Sequence, residues 1–170
     1  MRVVQCVKYG SHEDLVVNEV DAPGPPGPDQ VKVQIKTAGI QFSDLVRIKG
    51  EYQDNTEPPF TVGGDAGGIV TAVGDGVADI ALGDSVITPG GCVEEINIGA
   101  KRVTPVPPGT ELDAAASFRN NYATGLWGLQ LARIEPGETL LVHGCQTYTT
   151  GCTVHQQCFT RLDTRKLQAP

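Results

Sequence analysis

Four residues toward the C-terminal end, Cys145, Cys152, His155 and Cys158, are of the types that bind zinc and are set as C-x6-C-x2-H-x2-C. Structural zinc sites bring their first two ligands within about two to four intervening residues, so this opening gap is loose. The segment also lacks apolar residues to fold around an ion, and the pattern reads against a metal site. A second chemistry, cradling pyrophosphate on backbone N–H groups, needs G-x-G-x-x-G between a strand and a helix. "VGDGVAD" (Val73–Asp79) offers glycines but runs into Asp79 and then the strand-like "SVI", which is the pattern of a hairpin turn. "TLLVHG" (Thr139–Gly144) is a short apolar strand ending on glycine, the entrance to such a loop. Cys145, Gln146, Thr147 and Tyr148 follow where further glycines would be needed.

The elements that must position any site are mostly strands. "RVVQCVKYG" and "DLVVNEV" read as two strands joined by the polar turn Ser11–Asp14. "DAPGPPGPDQ" is an exposed rigid loop, because its prolines fix φ and remove donors. In "VKVQIKTAGI", Val31, Val33 and Ile35 alternate with Lys32, Gln34 and Lys36, which predicts a half-buried strand. "SDLVRIKG" predicts a short helix capped by Ser43, with Leu45 and Ile48 on one face. "GIVTAV", "GDSVITPG" and "CVEEINIG" continue the β pattern to about Val103. From "ELDAAASFRNNYATGLWGLQLARI" the period changes. Two helices are predicted there, Ala114–Phe118 and Leu126–Leu131, divided by Asn120-Asn121, with Leu126, Trp127 and Leu129 in the core.

A chain of 170 residues suits one domain of ordinary size, and 39% hydrophobic with 19% charged residues suits a soluble globular protein. No apolar run approaches the ~20 residues that span a bilayer, and "MRVVQCVKYG" lacks the apolar centre of a secretory signal. A cytoplasmic protein without membrane attachment is therefore expected. The net charge of −7 argues against nucleic acid, whose phosphates demand clustered Lys and Arg.

"AGIQFSDL", "GGDAGGIVTAVGDGVADIALGDSVI" and "NYATGLWGL…PGETLLVHG" occur in this order from residue 38 to Gly144. Together they resemble the zinc-free quinone oxidoreductase (zeta-crystallin-like) branch of the medium-chain dehydrogenase/reductase superfamily. The resemblance covers the N-terminal portion, to about Gly144. It implies a mainly β fold: a GroES-like barrel with short helices over residues 1–115, then a helical connector and the first strand of a truncated Rossmann domain over 116–144. It also implies reduction of a small-molecule quinone or enone by hydride from NADPH. Zinc-dependent relatives place cysteine and histidine where this chain has Gln41 and Gly64, neither of which supplies a thiolate or imidazole, so no metal is expected.

Zinc-free relatives carry asparagine at the position of Gln41, beside nicotinamide and substrate. Gln41 keeps the amide one methylene further out, and its competing reading is a polar residue before a helix. Tyr52 matches a substrate-side tyrosine whose ring could cover a quinone, or it is a plain loop aromatic. Asp44 is either near the site or structural, accepting N–H groups at the helix start. Asn121, Tyr122 and Thr124 match the family's N-Y-x-T segment, which contacts the nicotinamide ribose. The alternative is an asparagine cap and a buried connector tyrosine.

After Gly144 the family pattern stops. Residues 145–170 hold three basic residues against Asp163, three of the five cysteines and a single glycine, with neither helical nor strand periodicity. The reading is a non-family, disordered tail produced by a change of frame or a variant splice junction. It would leave the strand Thr139–Val142 without partners and uncover apolar surface that favours homodimerisation or non-specific association. The alternative function is then a catalytically inactive barrel fragment or an interaction module. Sequencing the coding DNA is expected to recover a glycine-rich loop after Gly144 in another frame or in skipped sequence. A coding sequence with neither would refute the frame or splice reading.

Overall fold

The computed structural model describes residues 1–54, 56–133 and 135, with the backbone of Leu140–Val142 and Cys158–Thr160. The chain divides into two compact units, Met1–Arg119 and Asn120–Pro170.

In the first unit the alternation that predicts a half-buried strand produces one. β3 (Gln30–Gly39) points Val31 and Val33 wholly inward, while Lys36 is exposed. Each such valine stabilises the fold by about 1.5–3 kcal/mol relative to an exposed one. β3 is flanked by β5 (Asp65–Val73) and β7 (Glu95–Gly99), both antiparallel. β6 (Ser85–Pro89) and β8 (Thr104–Pro105) extend the sheet to the order β7-β3-β5-β6-β8. Val70, Val86, Ile98 and Val103 close over Val31 and Val33 as the main core. The "VGDGVAD" stretch lies in the connection between the adjacent antiparallel strands β5 and β6, as expected of a turn.

A second sheet, β2-β1-β4, is built from β1 (Arg2–Cys6), β2 (Val16–Glu19) and β4 (Phe60–Thr61). The segment leading into β7 stitches the two sheets together. The Cys92 carbonyl accepts from the Val4 N–H at 2.8 Å, the Cys92 N–H donates to the Val62 carbonyl at 2.8 Å, and Val3 bridges to Val93. The outcome is a mainly β GroES-like fold with short helices. α1 (Phe42–Ile48) follows β3 and packs Ile48 against Cys6 and Val62. Its buried face is Asp44 and Ile48 and not the expected Leu45, which is 41% exposed. Its N-cap is Gln41, two residues before the predicted cap, and Ser43 lies inside the helix.

α2 (Leu112–Ala116) lies against β3 and β5 with Ala115 and Ala116 buried. Such an approach requires bare backbone beneath it. A Cβ on Gly39 would fall 2.6 Å from the Ala116 carbonyl oxygen, and one on Gly67 would fall 2.9 Å from that of Leu112.

Beyond this barrel three sequence expectations are corrected. Helix α3 runs unbroken over Phe118–Ala132, through Asn120 and Asn121, and the interruption sits at Ser117, the C-cap of α2. Asparagine's helix penalty is a fraction of a kcal/mol, too small to break a helix continued by its neighbours. Leu126 and Trp127 are 52% and 61% exposed, so these two expected core positions are surface, while Leu129 is half-buried. β9 (Leu140–Val142) is not alone. β10 (Cys158–Thr160), from the tail expected to lack structure, pairs with it antiparallel, Leu141 opposite Phe159. Three residues are too few to show a strand period. Cys145, Cys152 and His155 of the quartet lie outside the described residues.

The α2 contact yields a stability test. Gly39→Ala is expected to cost about 1–3 kcal/mol by overpacking, read as a lower Tm in thermal denaturation. Gly24→Ala, where nothing lies within 4 Å of the added carbon, is the matched control and should leave Tm unchanged.

Candidate active site

The candidate site grows from the turn between β3 and α1. The first amides of a helix lack intrahelical partners, and an acidic side chain in the first turn supplies one. Asp44, 3% exposed, accepts the Gln41 N–H on Oδ2 at 2.8 Å. Its other oxygen faces Arg47 Nη1 at 3.3 Å, an i,i+3 pair on the same helix. Arg47 reaches onward to Asp54, with Nη2 at 2.8 Å and Nε at 3.0 Å from Oδ2. Its guanidinium also lies over the Tyr52 ring, 4.5 Å from the centroid.

On the other side, the Gln41 side chain turns to β5. Gln41 Nε2 donates to Asp65 Oδ2 at 2.9 Å. Asp65 has no exposed surface, and Arg119 meets its Oδ1 with Nε at 2.9 Å and Nη2 at 2.7 Å. Removing one partner of a fully buried pair costs about 3–5 kcal/mol. The Arg119 side chain is 39% exposed, so the lower end of that range applies here. The result is one polar line through the barrel edge: Arg119, Asp65, Gln41, Asp44, Arg47, Asp54.

Three sequence candidates, Gln41, Asp44 and Tyr52, therefore belong to one network, with Arg47 between Asp44 and Tyr52. They do not share a cleft. Tyr52 helps line a small polar cleft of about 180 Å³ with Tyr9, Arg47, Asp54, Thr56 and Glu57, and Gln41 is not among its lining residues. A larger, mainly apolar hollow of about 330 Å³, bounded by Met1, Val3, Val20, Val93 and Ile96, contains none of the sequence candidates. Asn121, Tyr122 and Thr124 lie on α3 in the second unit. Asn121 is inside that helix and not at its cap, Tyr122 is 61% exposed, and Thr124 Oγ1 donates to the Asn120 carbonyl at 2.6 Å.

Sequence reasoning missed Asp65 and Arg119 as a pair, and Arg47 as the clasp of the Tyr52 loop. The spacing Asp44-x-x-Arg47 could have signalled the second, since residues three apart meet on a helix. Nothing in the sequence joins Asp65 to Arg119, which are 54 positions apart.

The chemistry of the site is polar and acid-rich. Burial, followed by the charge of Asp44, pushes the Cys92 thiol up, which disfavours the thiolate that a metal or an electrophile would need. Among the described residues no three His, Cys, Asp or Glu side chains converge as a metal-binding group. The β5–β6 turn offers a pyrophosphate no cradle. At the β5–β6 turn, a Cβ on Gly76 would lie 2.7 Å from Asp29 Oδ1, and the Asp29 N–H is spent on the Asp75 carbonyl. Carboxylates so placed repel phosphate.

The family model described as "Alcohol dehydrogenase GroES-like domain" matches residues 27–126. The phthioceranic/hydroxyphthioceranic acid synthase of Mycobacterium tuberculosis (strain ATCC 25618 / H37Rv) is 37% identical over 123 residues, 70% of this chain and 6% of that protein. Quinone oxidoreductase-like protein 2 of Bos taurus is 36% identical over 132 residues, 75% of this chain and 38% of the relative. The crystal structure of Escherichia coli quinone oxidoreductase complexed with NADPH superposes with a TM-score of 0.72 at 28% identity, over 81% of this chain and 43% of that one. The chain thus spans less than half the length of each of these proteins.

Hydrogen bonding from Arg47 holds the Asp54 carboxyl below the usual carboxylate range, and Asp54 in turn raises Arg47. The clasp is therefore complete above the ordinary carboxylate pKa of about 3.9 and is lost as pH falls below it toward the folded value. Acidification in that window should move the Tyr52 ring signals in NMR while core valine methyls stay fixed, and Arg47→Met should abolish the transition. Tyr52 signals indifferent to acid would show that the clasp does not form in solution.

Proposed function

We propose that this chain, which belongs to the alcohol dehydrogenase GroES-like domain family of the medium-chain dehydrogenase/reductase superfamily, serves the NADPH-dependent, zinc-independent reduction of a quinone or enone. The observation that carries this reading is Gln41. An amide tied to Asp65 stands at the mouth of α1 where zinc-dependent relatives place a thiolate ligand, so this edge of the barrel offers hydrogen bonds in place of a metal. NADPH supplies the hydride in that chemistry. Gln41 and Tyr52 are the side chains assigned to the acceptor, Tyr52 through its ring and hydroxyl, with solvent or a polar side chain providing the proton. Asn121, Tyr122 and Thr124 are assigned to the nicotinamide ribose. The Thr124 hydroxyl, whose proton already goes to Asn120, would meet a ligand as an acceptor.

This arrangement is one wall of a site. Holding cofactor beside substrate supplies ~7–11 kcal/mol of barrier reduction, and exposed neutral hydrogen bonds, at ~0.5–1.5 kcal/mol each, do not replace a cradle for the phosphates. The glycine turn between β5 and β6, crowded by Asp29, does not fit a pyrophosphate. The chain as written is therefore expected to be inactive by itself. A second reading, an inactive barrel acting as an interaction module, draws on α3, where Phe118, Tyr122, Leu126, Trp127 and Leu131 are all more than half exposed.

Calorimetry with NADPH and a quinone-reduction assay on the 170-residue chain distinguish these readings. The expected results are no binding tighter than about 100 μM, roughly −5.5 kcal/mol, and no turnover above background. Adding a glycine-rich loop and the remainder of a dinucleotide-binding domain after Gly144 should restore turnover without added metal. Turnover by the unextended chain, or loss of the restored activity to chelators, would overturn the proposal.

A further inference from the structure

Gln41 departs by one methylene from the asparagine of the resembled branch, and the structure shows where the extra length goes. β3 and β5 are in register with Gly39 opposite Asp65, so the chain leaving β3 passes directly beside the first residue of β5. From there Gln41 Nε2 reaches Asp65 Oδ2 at 2.9 Å. A side chain shorter by one carbon–carbon bond, about 1.5 Å, would leave that contact beyond hydrogen-bonding distance unless the backbone moved.

We propose that Asp65 is a positioning residue for the Gln41 carboxamide, and that Arg119 holds Asp65 to that task. This rests on the reading that Gln41 belongs to the site. A carboxylate accepts hydrogen bonds and donates none, so the end of the amide that faces it must be the NH₂. The direction of the Gln41 amide is therefore fixed by chemistry. The two carboxylate oxygens divide the work: Oδ2 takes Gln41, and Oδ1 takes both Nε and Nη2 of Arg119. With one oxygen held by Arg119 and the other by Gln41, the carboxylate has little freedom to rotate. Asp44 fixes the same residue from the other side by accepting its backbone N–H at 2.8 Å. Gln41 is thus held at main chain and side chain by two buried aspartates, each paired with an arginine. Any ligand at this edge meets an amide of one orientation, with part of its donor capacity already committed to the protein.

The test uses the full chain without ligand and reads the Gln41 side-chain NH₂ signals by ¹⁵N NMR, assigned by their loss in Gln41→Asn. In the wild type those protons should be shifted from free-glutamine positions and exchange slowly with water. In Asp65→Asn, which is nearly isosteric, both features should be lost while the Val31 and Val33 methyl signals stay native. Arg119→Met should weaken them, and Arg119→Lys should restore them in part, because lysine keeps the charge without the fork.

If the arginine variants fail to fold, a charge test remains. Gln41→Glu sets two carboxylates against each other, so its Tm should fall below that of the wild type as pH rises from the carboxylate range toward neutrality. Adding Asp65→Asn should remove the slope. A merely structural aspartate would lower Tm without moving the Gln41 signals. Unchanged Gln41 signals in folded Asp65→Asn, or a flat pH profile for Gln41→Glu, would overturn the proposal. Quinone reduction by the chain extended after Gly144 with a glycine-rich loop and the remainder of a dinucleotide-binding domain tests the oxidoreductase reading separately, so either can fail alone.

Discussion

A carboxylate with no exposed surface must be paired where it lies, since taking a charge out of water costs several kcal/mol even after relaxation. Asp65, at the first position of β5, imposes that constraint on the barrel edge. Two of its partners come from different elements, Gln41 from the entry to α1 and Arg119 from the first turn of α3. Satisfying one buried group thereby fixes the end of β3, the start of α1 and the start of α3 around it. The bare glycines of β3 and β5 belong to the same arrangement. They let α2 descend onto the sheet, and α2 leads directly into the helix that carries Arg119.

The electrostatics of this edge are organised by pairing and not by net charge. Three aspartates, Asp44, Asp54 and Asp65, share two arginines, with Gln41 as the neutral joint. The burial of the pairs differs, and so does their strength. Asp65 and Asp44 are buried and their contacts are weakly screened, whereas Asp54 is exposed and its clasp responds to salt and acid. The Tyr52 loop, held by that clasp and by the Tyr9 hydroxyl donating to the Thr56 carbonyl, is consequently the more adjustable part.

The two units differ in how they bury apolar surface. The first buries Val31, Val33, Val70, Val86 and Ile98 in one cluster and Ile48 with Cys6 and Val62 in a second. α3 carries a tryptophan, a tyrosine and leucines that remain more than half exposed.

Much of the barrel was legible because its physics is local. The alternation Val31, Val33, Ile35, the proline-rich loop and the glycine-rich strand each declare their structure within a few residues, and the motifs around Gln41 and Asp65 placed the chain in its family. Tertiary structure decided what local pattern could not reach. Leu45 gave way to Asp44 on the inner face of α1, because hydrogen bonding to Gln41 and Arg47 outweighed the preference to bury leucine. α3 ran through its asparagines, because a penalty of a fraction of a kcal/mol does not break a helix. β9 found a partner in three residues too few to show a period. The meeting of Gln41, Asp65 and Arg119 depends on sheet register and helix placement across 78 positions, a distance over which spacing in the sequence carries no information about contact.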